Sequence, residues 1–519
     1  MTTPFARGFA LAVILTLVLA PLVPAAAQQP RRGGALRIAH VGEPPTLDQH
    51  WTTSVTTRDI MNNVTEGLFA LTSKFEPRPM LVDKWTMSAD RLTYTFTLRR
   101  GVKFHSGKDL SGEDVRVSLE RWGRITARGR VLFASVVSIT TPDPLTLVIK
   151  LREPYGLLLQ DLGYYGQAAV IYPKEVIDEA GTGPVRRFIG TGPYRFVEHL
   201  PDRHIRLDRF DGYAARTEEP DGATGRKHAY FDSIFIIPVP DAAVRIAGVK
   251  RGEYHFADSI PSDEYDRLRA DLDLVPFVAQ DPRWLALAFN HRAGMMTNRK
   301  IRQAFQAALD QEPVMRAAFG PPRFWRVDAG LMAKEHFMWT DAGKEWYNQK
   351  NQARARQLLA EAGYKGEPLR WLTTMELVFL GTAAQVVKPM LERAGFVVDL
   401  QVTDFATVVA RRARPELWDV FSTHHNAVLP DPSFLLPLQP TWPGWYDNRD
   451  MNAMMTLLRR HSDPKVRHEL WSRMQKLWYE EAGTIKFGDY FLLHLHRKEL
   501  KGYANIPTHV WWNAWLEGR

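Results

Sequence analysis

The residues best suited to chemistry are histidines, a serine–lysine pair, a glycine pair and one proline-rich loop. His424 and His425 are adjacent, whereas His494 and His496 alternate, so the second pair would share one face of a strand. Either pair could help hold a metal, but the spacing supplies no third ligand, and polar or core histidines are the simpler reading. Ser462-Asp463-Pro464-Lys465 has the Ser-x-x-Lys form of a nucleophile with its base. It stands where a helix should begin, and a Ser or Asp cap with proline in the first turn accounts for it without catalysis. Gly190-Thr191-Gly192 lacks the third glycine of a dinucleotide fingerprint and leads into a strand instead of a helix. No Gly-x-Ser-x-Gly elbow, His-Glu-x-x-His or Walker A sequence occurs. Cysteine is absent, which removes thiol catalysis, thiolate metal sites and disulfides. The loop from Asp419 to Tyr446 carries both adjacent histidines, Asn426, Trp442, Trp445 and prolines at 430, 432, 437, 440 and 443. Prolines hold such a loop in shape and aromatic faces offer contact area, which suits a preformed pocket wall as well as a buried connection.

These residues need a scaffold. The 519 residues are 45% hydrophobic and 24% charged, an ordinary globular balance that suggests about three structural units. A formal charge of +9 is spread without a dense Lys/Arg tract, so nucleic acid is not an expected partner. Arg7, the apolar run Phe9–Ala20 and Ala25-Ala26-Ala27 form a secretory signal pattern with cleavage expected after Ala27. The run's 12 residues would span only about 18 Å as a helix, short of a membrane core of roughly 30 Å. The mature product is therefore expected to be exported and soluble.

Alternation predicts strands beginning at Leu36–Ile38 and over Thr93–Leu98; Leu145–Leu151 reads as a more continuously buried strand, and Tyr194–Val197 and Phe231–Ile237 as further strands. Ser111 with Asp114 three residues on predicts a capped helix bearing Val115, Leu119 and Trp122. A further helix is expected over Asn298–Leu309, and another from Asn351 to Gly363. Beyond residue 363 a strand at Leu369–Thr373, a helix opening on a Thr382/Gln385 capping pattern and closing at Gly395, and a strand at Phe396–Val402 form a βαβ unit. A late helix should start at Asp463 and stop at Gly483.

Several stretches together resemble the family 5 extracellular solute-binding proteins, the peptide- and nickel-type components of ABC importers. They are ALRIAHVGEPPTLDQH at 35–50, LRRGVKFHSGKDLSGEDVRVSLERW at 98–122, GTGPYRF at 190–196, FNHRAGMMTNRKIRQAFQAALD at 289–310 and the Pro430-Asp431-Pro432 loop. They follow the family's order over nearly the whole mature chain. The resemblance implies an α/β, two-lobed class II periplasmic binding protein with an extra subdomain inserted in the N-terminal lobe. By that analogy, residues 28–48, 190–276 and 485–519 form lobe I, 49–189 the insertion and 277–484 lobe II, after a signal peptide at 1–27. It implies a monomer in the periplasm, without cofactor or metal, that passes a peptide or other small organic solute to inner-membrane permeases and their ATPases.

The same resemblance places the ligand wall. Glu43, Pro45 and Thr46 would face His424, His425, Asn426, Val428 and Asp431, with Trp442 and Trp445 nearby and Asp489 and Tyr490 as weaker candidates. Peptide-binding relatives often place an acid, which pairs with the ligand amine, where this chain has Val428. Valine cannot neutralise an ammonium, so ordinary free-amine peptides are expected to bind poorly. The rival reading is a secreted hydrolase using His425 and Asp431, and the missing nucleophile motif counts against it.

Overall fold

A computed structural model describes residues 29–518 except 280, 376 and 505. The expected signal segment and its cleavage point lie outside the described residues. Two large sheets organise the chain. The first has seven strands in the order Leu274–Val278, Leu493–Arg497, Phe256–Ile260, Ala35–His40, Ser233–Pro238, His204–Arg209 and Tyr194–Leu200. Its central strand, Ala35–His40, runs parallel to both neighbours. The second has six, in the order Trp325–Arg326, Thr484–Tyr490, Arg283–Phe289, Val420–Asn426, Pro368–Thr373 and Val397–Val402. A smaller antiparallel sheet of four strands, Val82–Met87, Thr93–Leu98, Thr146–Leu151 and Val136–Asp143, belongs to a segment inserted after the first strand.

Burial explains the sequence patterns. Thr93–Leu98 alternates because only Tyr94, Phe96 and Leu98 face a core. Arg283–Phe289 (RWLALAF) reads as continuously apolar because both of its faces are covered. Leu285, Leu287 and Phe289 join one core cluster, while Trp284 and Ala286 join another. Helix Gly112–Ile125 begins with the full capping box: Ser111 accepts from the Asp114 amide and Asp114 accepts from the Ser111 amide. It buries Val115, Leu119 and Trp122 against the small sheet.

The βαβ unit is present, with Pro368–Thr373 and Val397–Val402 paired in parallel across helix Val378–Ala394. That helix starts a turn before the Thr382/Gln385 pattern, which lies inside it. Buried Leu380 extends the apolar face backwards, and packing sets the start in place of a side-chain cap. Gly395 closes the helix at φ 105°, in the left-handed conformation glycine tolerates. The late helix runs Pro464–Glu480 under an Asp463 cap. Gly483 does not cap its end; a Cβ there would lie 2.5 Å from the Trp478 ring, so close packing explains the glycine.

The chain crosses between the large sheets twice, between Val278 and Arg283 and again between Tyr490 and Leu493. Both crossings fall later than the expected positions near 276 and 485. The second differs more because Thr484–Tyr490, buried throughout, pairs with Arg283–Phe289 in the second sheet. The inserted segment also leans on the second lobe. Phe75 stacks on His336 at 4.8 Å, Arg128 sits 3.6 Å from the Phe434 ring centroid, and Arg460 pairs with Glu153 at 2.7 Å.

Candidate ligand-binding cleft

A cavity of about 200 Å³ opens beside the two crossings. Its walls come from segments far apart in sequence. His40 ends the central strand of the first sheet, Arg58 and Asp59 ride on helix Val55–Met61, and Asp258 and Ser259 lie near the end of Phe256–Ile260. Asp281 and Arg283 come from the first crossing, Leu492 and His494 from the second, and Thr508 and His509 from the C-terminal segment.

The charges are fixed by named partners. Asp59 accepts from the Thr508 hydroxyl at 2.9 Å, the His509 amide at 3.2 Å and Arg58 Nε at 3.2 Å. Burial opposes its charge, but the Arg58 guanidinium and these donors outweigh burial and hold its carboxyl below the usual range. The Arg58 guanidinium lies 5.4 Å from the Tyr165 ring centroid. Arg283 pairs with Asp281 at 3.3 Å, and its buried Nε has no hydrogen-bond partner among the described residues. His40 donates Nδ1–H to the Gly42 carbonyl at 3.0 Å and sets Nε2 3.3 Å from Asp258. His494 and His509 are kept below the usual imidazole range, chiefly by burial. The cleft therefore offers guanidiniums and carboxylates together, and burial disfavours charge on His494 and His509 in the same wall.

The residues lining this cavity include none of the expected ligand wall, but three of that wall stand around Arg283 in the second sheet. His424, held at about 4 by burial and by Arg283, bonds through Nδ1 to the Tyr490 hydroxyl at 3.1 Å. Asn426 ends its strand exposed, opposite Arg283 in the register. Those three stand at the crossing end of the second sheet. His425 lies deeper, between Trp284 (4.7 Å) and Trp442 (5.2 Å), and burial lowers it to about 3. Val428 is buried in an apolar cluster with Tyr164, Tyr165 and Trp284.

The other expected residues also lie outside this cavity's lining. Glu43 turns outward, accepting from His199 at 2.8 Å and the Asp202 amide at 2.9 Å. Pro45 is exposed, and Thr46 uses its hydroxyl to accept from the Asp48 amide within its own turn. Asp431 caps residues 432–434 and is locked in a buried ion pair with Arg467. Asp489 is buried between Lys486 (2.6 Å) and Arg326 (2.8 Å). Trp445 stacks on Trp418 at 5.7 Å beside Gly444, whose carbonyl binds the His291 amide just past the far end of Arg283–Phe289. At about 3.4 Å per residue, that strand carries Trp445 roughly 20 Å from the crossing. Nor do His425 and Asp431 form a catalytic pair, since each is committed to different neighbours.

Sequence reasoning missed Arg58, Asp59, Asp258, Asp281 and Arg283. A signal existed for the last two, charged residues standing just after the expected crossing. Nothing in spacing ties the others together. Replacing Arg58 or Arg283 by Ala is expected to weaken solute binding about tenfold to hundredfold, the scale of a charge-assisted hydrogen bond. Glu43→Gln and Trp445→Phe should leave affinity within about twofold. Calorimetry on the four variants would contradict this placement if the two pairs behaved the other way round.

Two α/β lobes joined by two crossings, with a charged cavity at the junction and an inserted subdomain, define a class II periplasmic-binding fold. The model of the bacterial extracellular solute-binding proteins, family 5, matches residues 76–446, and the chain belongs to that family. It is 28% identical over 477 residues to a probable peptide ABC transporter periplasmic-binding protein of Sinorhizobium fredii, covering 86% of this chain and 87% of the relative. It is 24% identical to the glutathione-binding protein GsiB of Salmonella choleraesuis, over 89% of this chain and 90% of that protein. Among solved structures, the periplasmic binding protein DppA of Helicobacter pylori in complex with the peptide STSA superposes with a TM-score of 0.75. The identity there is 20%, over 94% of this chain and 99% of that one.

Proposed function

We propose that this protein captures a small, peptide-like solute between its lobes and delivers it to the permeases of an ABC importer and their ATPases. The observation that carries this reading is the cavity at the crossings, where Arg58, Asp258 and Arg283 converge from different parts of the chain. A solute touching groups on both sides of the crossings is bound best when the lobes are shut, so it shifts the population towards the closed form. The names of the Sinorhizobium, Salmonella and Helicobacter proteins support a peptide-like solute. In the proposed division, residues 28–48, 190–278 and 493–519 form lobe I, 49–189 the insertion and 283–490 lobe II. The exported form begins at Gln28, works in the periplasm as a monomer, and turns nothing over.

Mass spectrometry of solute released from protein purified from its native periplasm is the direct test. A co-purifying amino-acid derivative or short peptide is expected, bound unchanged and returned intact. Solution scattering should show a smaller radius of gyration when that solute is restored. Chemical conversion of the solute, or release of none with no change in dimensions on adding any candidate, would defeat the reading.

A further inference from the structure

Neither loop position that could anchor an amine offers a free carboxylate: Val428 is apolar and Asp431 is tied to Arg467. One carboxylate in the cavity wall, among the described residues, keeps an oxygen without a donor. Asp258 is only 3% exposed, and its Oδ1 has no hydrogen-bond partner among the described residues. Its other oxygen faces His40 Nε2 at 3.3 Å. Asp59, by contrast, already accepts from three donors, and Asp281 is shared with Arg283. A buried carboxylate oxygen left without a donor is unfavourable unless a ligand supplies one.

The backbone is shaped to hold Asp258 there. Pairing of Phe256–Ile260 with Leu493–Arg497 shifts register between Ala257 and Ile260, and Ser259 sits at φ 48°. Bulges of this kind re-aim side chains beside binding sites. Arg245 clamps the irregular stretch, donating to the carbonyls of Asp258 (3.1 Å), Ser259 (2.8 Å), Val239 (2.6 Å) and Pro240 (2.8 Å). His494 Nδ1 accepts from the Ser259 amide at 3.1 Å. At the crossing, Arg283 is the complementary group: a terminal nitrogen pairs with Asp281 at 3.3 Å, while its buried Nε has no acceptor among the described residues.

We infer that Asp258 is the amine anchor of this cleft and Arg283 its partner for an acceptor, so that the solute class is zwitterionic: a protonated amine on Asp258 Oδ1 and a carboxylate on Arg283. The inference deepens the solute-capture reading and rests on it. It also revises the expectation drawn from Val428, which considered only the loop. Two basic groups already stand beside Asp258: the His40 ring on its other oxygen, and the Arg245 guanidinium, which spends its donors on backbone carbonyls; neither bonds Oδ1.

Calorimetry with three probe pools tests it: unmodified di- and tripeptides, the same peptides N-acetylated, and amine-free organic acids with sugars. The wild type should bind members of the first pool and lose about tenfold to hundredfold on acetylation. Asp258→Asn should weaken the free-amine peptides by the same factor and leave the acetylated ones unchanged. The variant's unliganded thermal midpoint checks its fold. Arg283→Gln is the second variant, and it should erase the preference for free over amidated C-termini. Equal binding of acetylated and free peptides, an Asp258→Asn variant with wild-type affinity, or binding of the amine-free pool alone would overturn the inference while leaving solute capture intact. Binding of no pool would overturn it too, and solute capture would then be judged separately on what co-purifies.

Discussion

Moving from pH 7 to pH 5 is expected to remove more than about 5 kcal/mol of folding stability. Burial lowers His50, His105 and His424 to about 4, and His291, His336 and His425 to about 3. In the unfolded chain each titrates near 6.5. Above that value neither state binds the proton, so their contribution to stability is complete. Below it the unfolded chain takes up protons that the folded protein refuses, and stability falls until the pH passes the folded values of 3 to 4. Each group then contributes a loss of about 1.4 kcal/mol per pH unit. One carboxyl among the described residues opposes them. Burial raises Asp161 to about 6, so between about 6 and 3.8 it binds a proton in the folded state first and stabilises on acidification. Several histidines against one carboxyl leave a large net loss, comparable with the roughly 5–15 kcal/mol that holds a domain together. Urea titrations at pH 7, 6 and 5 measure it directly. A change below about 1 kcal/mol over that range would mean that these imidazoles are charged in the fold.

The same burial explains which features were legible in the amino-acid sequence. Strands and helices whose limits follow local pattern could be read closely, as at Thr93–Leu98, the Ser111/Asp114 cap and the parallel pair around helix Val378–Ala394. Local pattern failed where packing overrode it. Thr382 and Gln385 have cap spacing but lie inside a helix whose buried face begins earlier, and Gly483 answers to the Trp478 ring. The cleft was hardest to see. Arg58, Asp258, Arg283 and Thr508 meet because two sheets and a C-terminal segment converge, and periodicity records which face is buried, not which segments meet. The loop residues drew attention through their types. Yet histidines, an aspartate and tryptophans serve cores as readily as ligands, as His425 between Trp284 and Trp442 demonstrates.

Asp431 puts that distinction to the test: Asp431→Ala is expected to cost about 3–5 kcal/mol of stability and leave the folded protein's solute affinity unchanged. Asp431 and Arg467 are 1% and 2% exposed, so their charges have almost no water to fall back on. The guanidinium also donates to the carbonyls of Leu458 and His461, which fix its position but supply no net charge. Removing the carboxylate leaves Arg467 buried with its charge uncompensated, and also strips the cap from the Ser433 amide, bonded at 2.9 Å. The double variant Asp431→Ala/Arg467→Met should recover much of the loss, because a buried ion pair replaced as a unit by apolar side chains is far less unfavourable than one broken in half. Denaturant titrations of the two single variants and the double variant give the coupling energy, and calorimetry on the folded proteins gives the affinity. A single variant with wild-type stability but weakened binding would return Asp431 to the ligand wall. A coupled loss of stability at unchanged affinity would fix the Pro-Asp-Pro turn as the brace behind the cleft, with ligand contact left to the charges at the crossings.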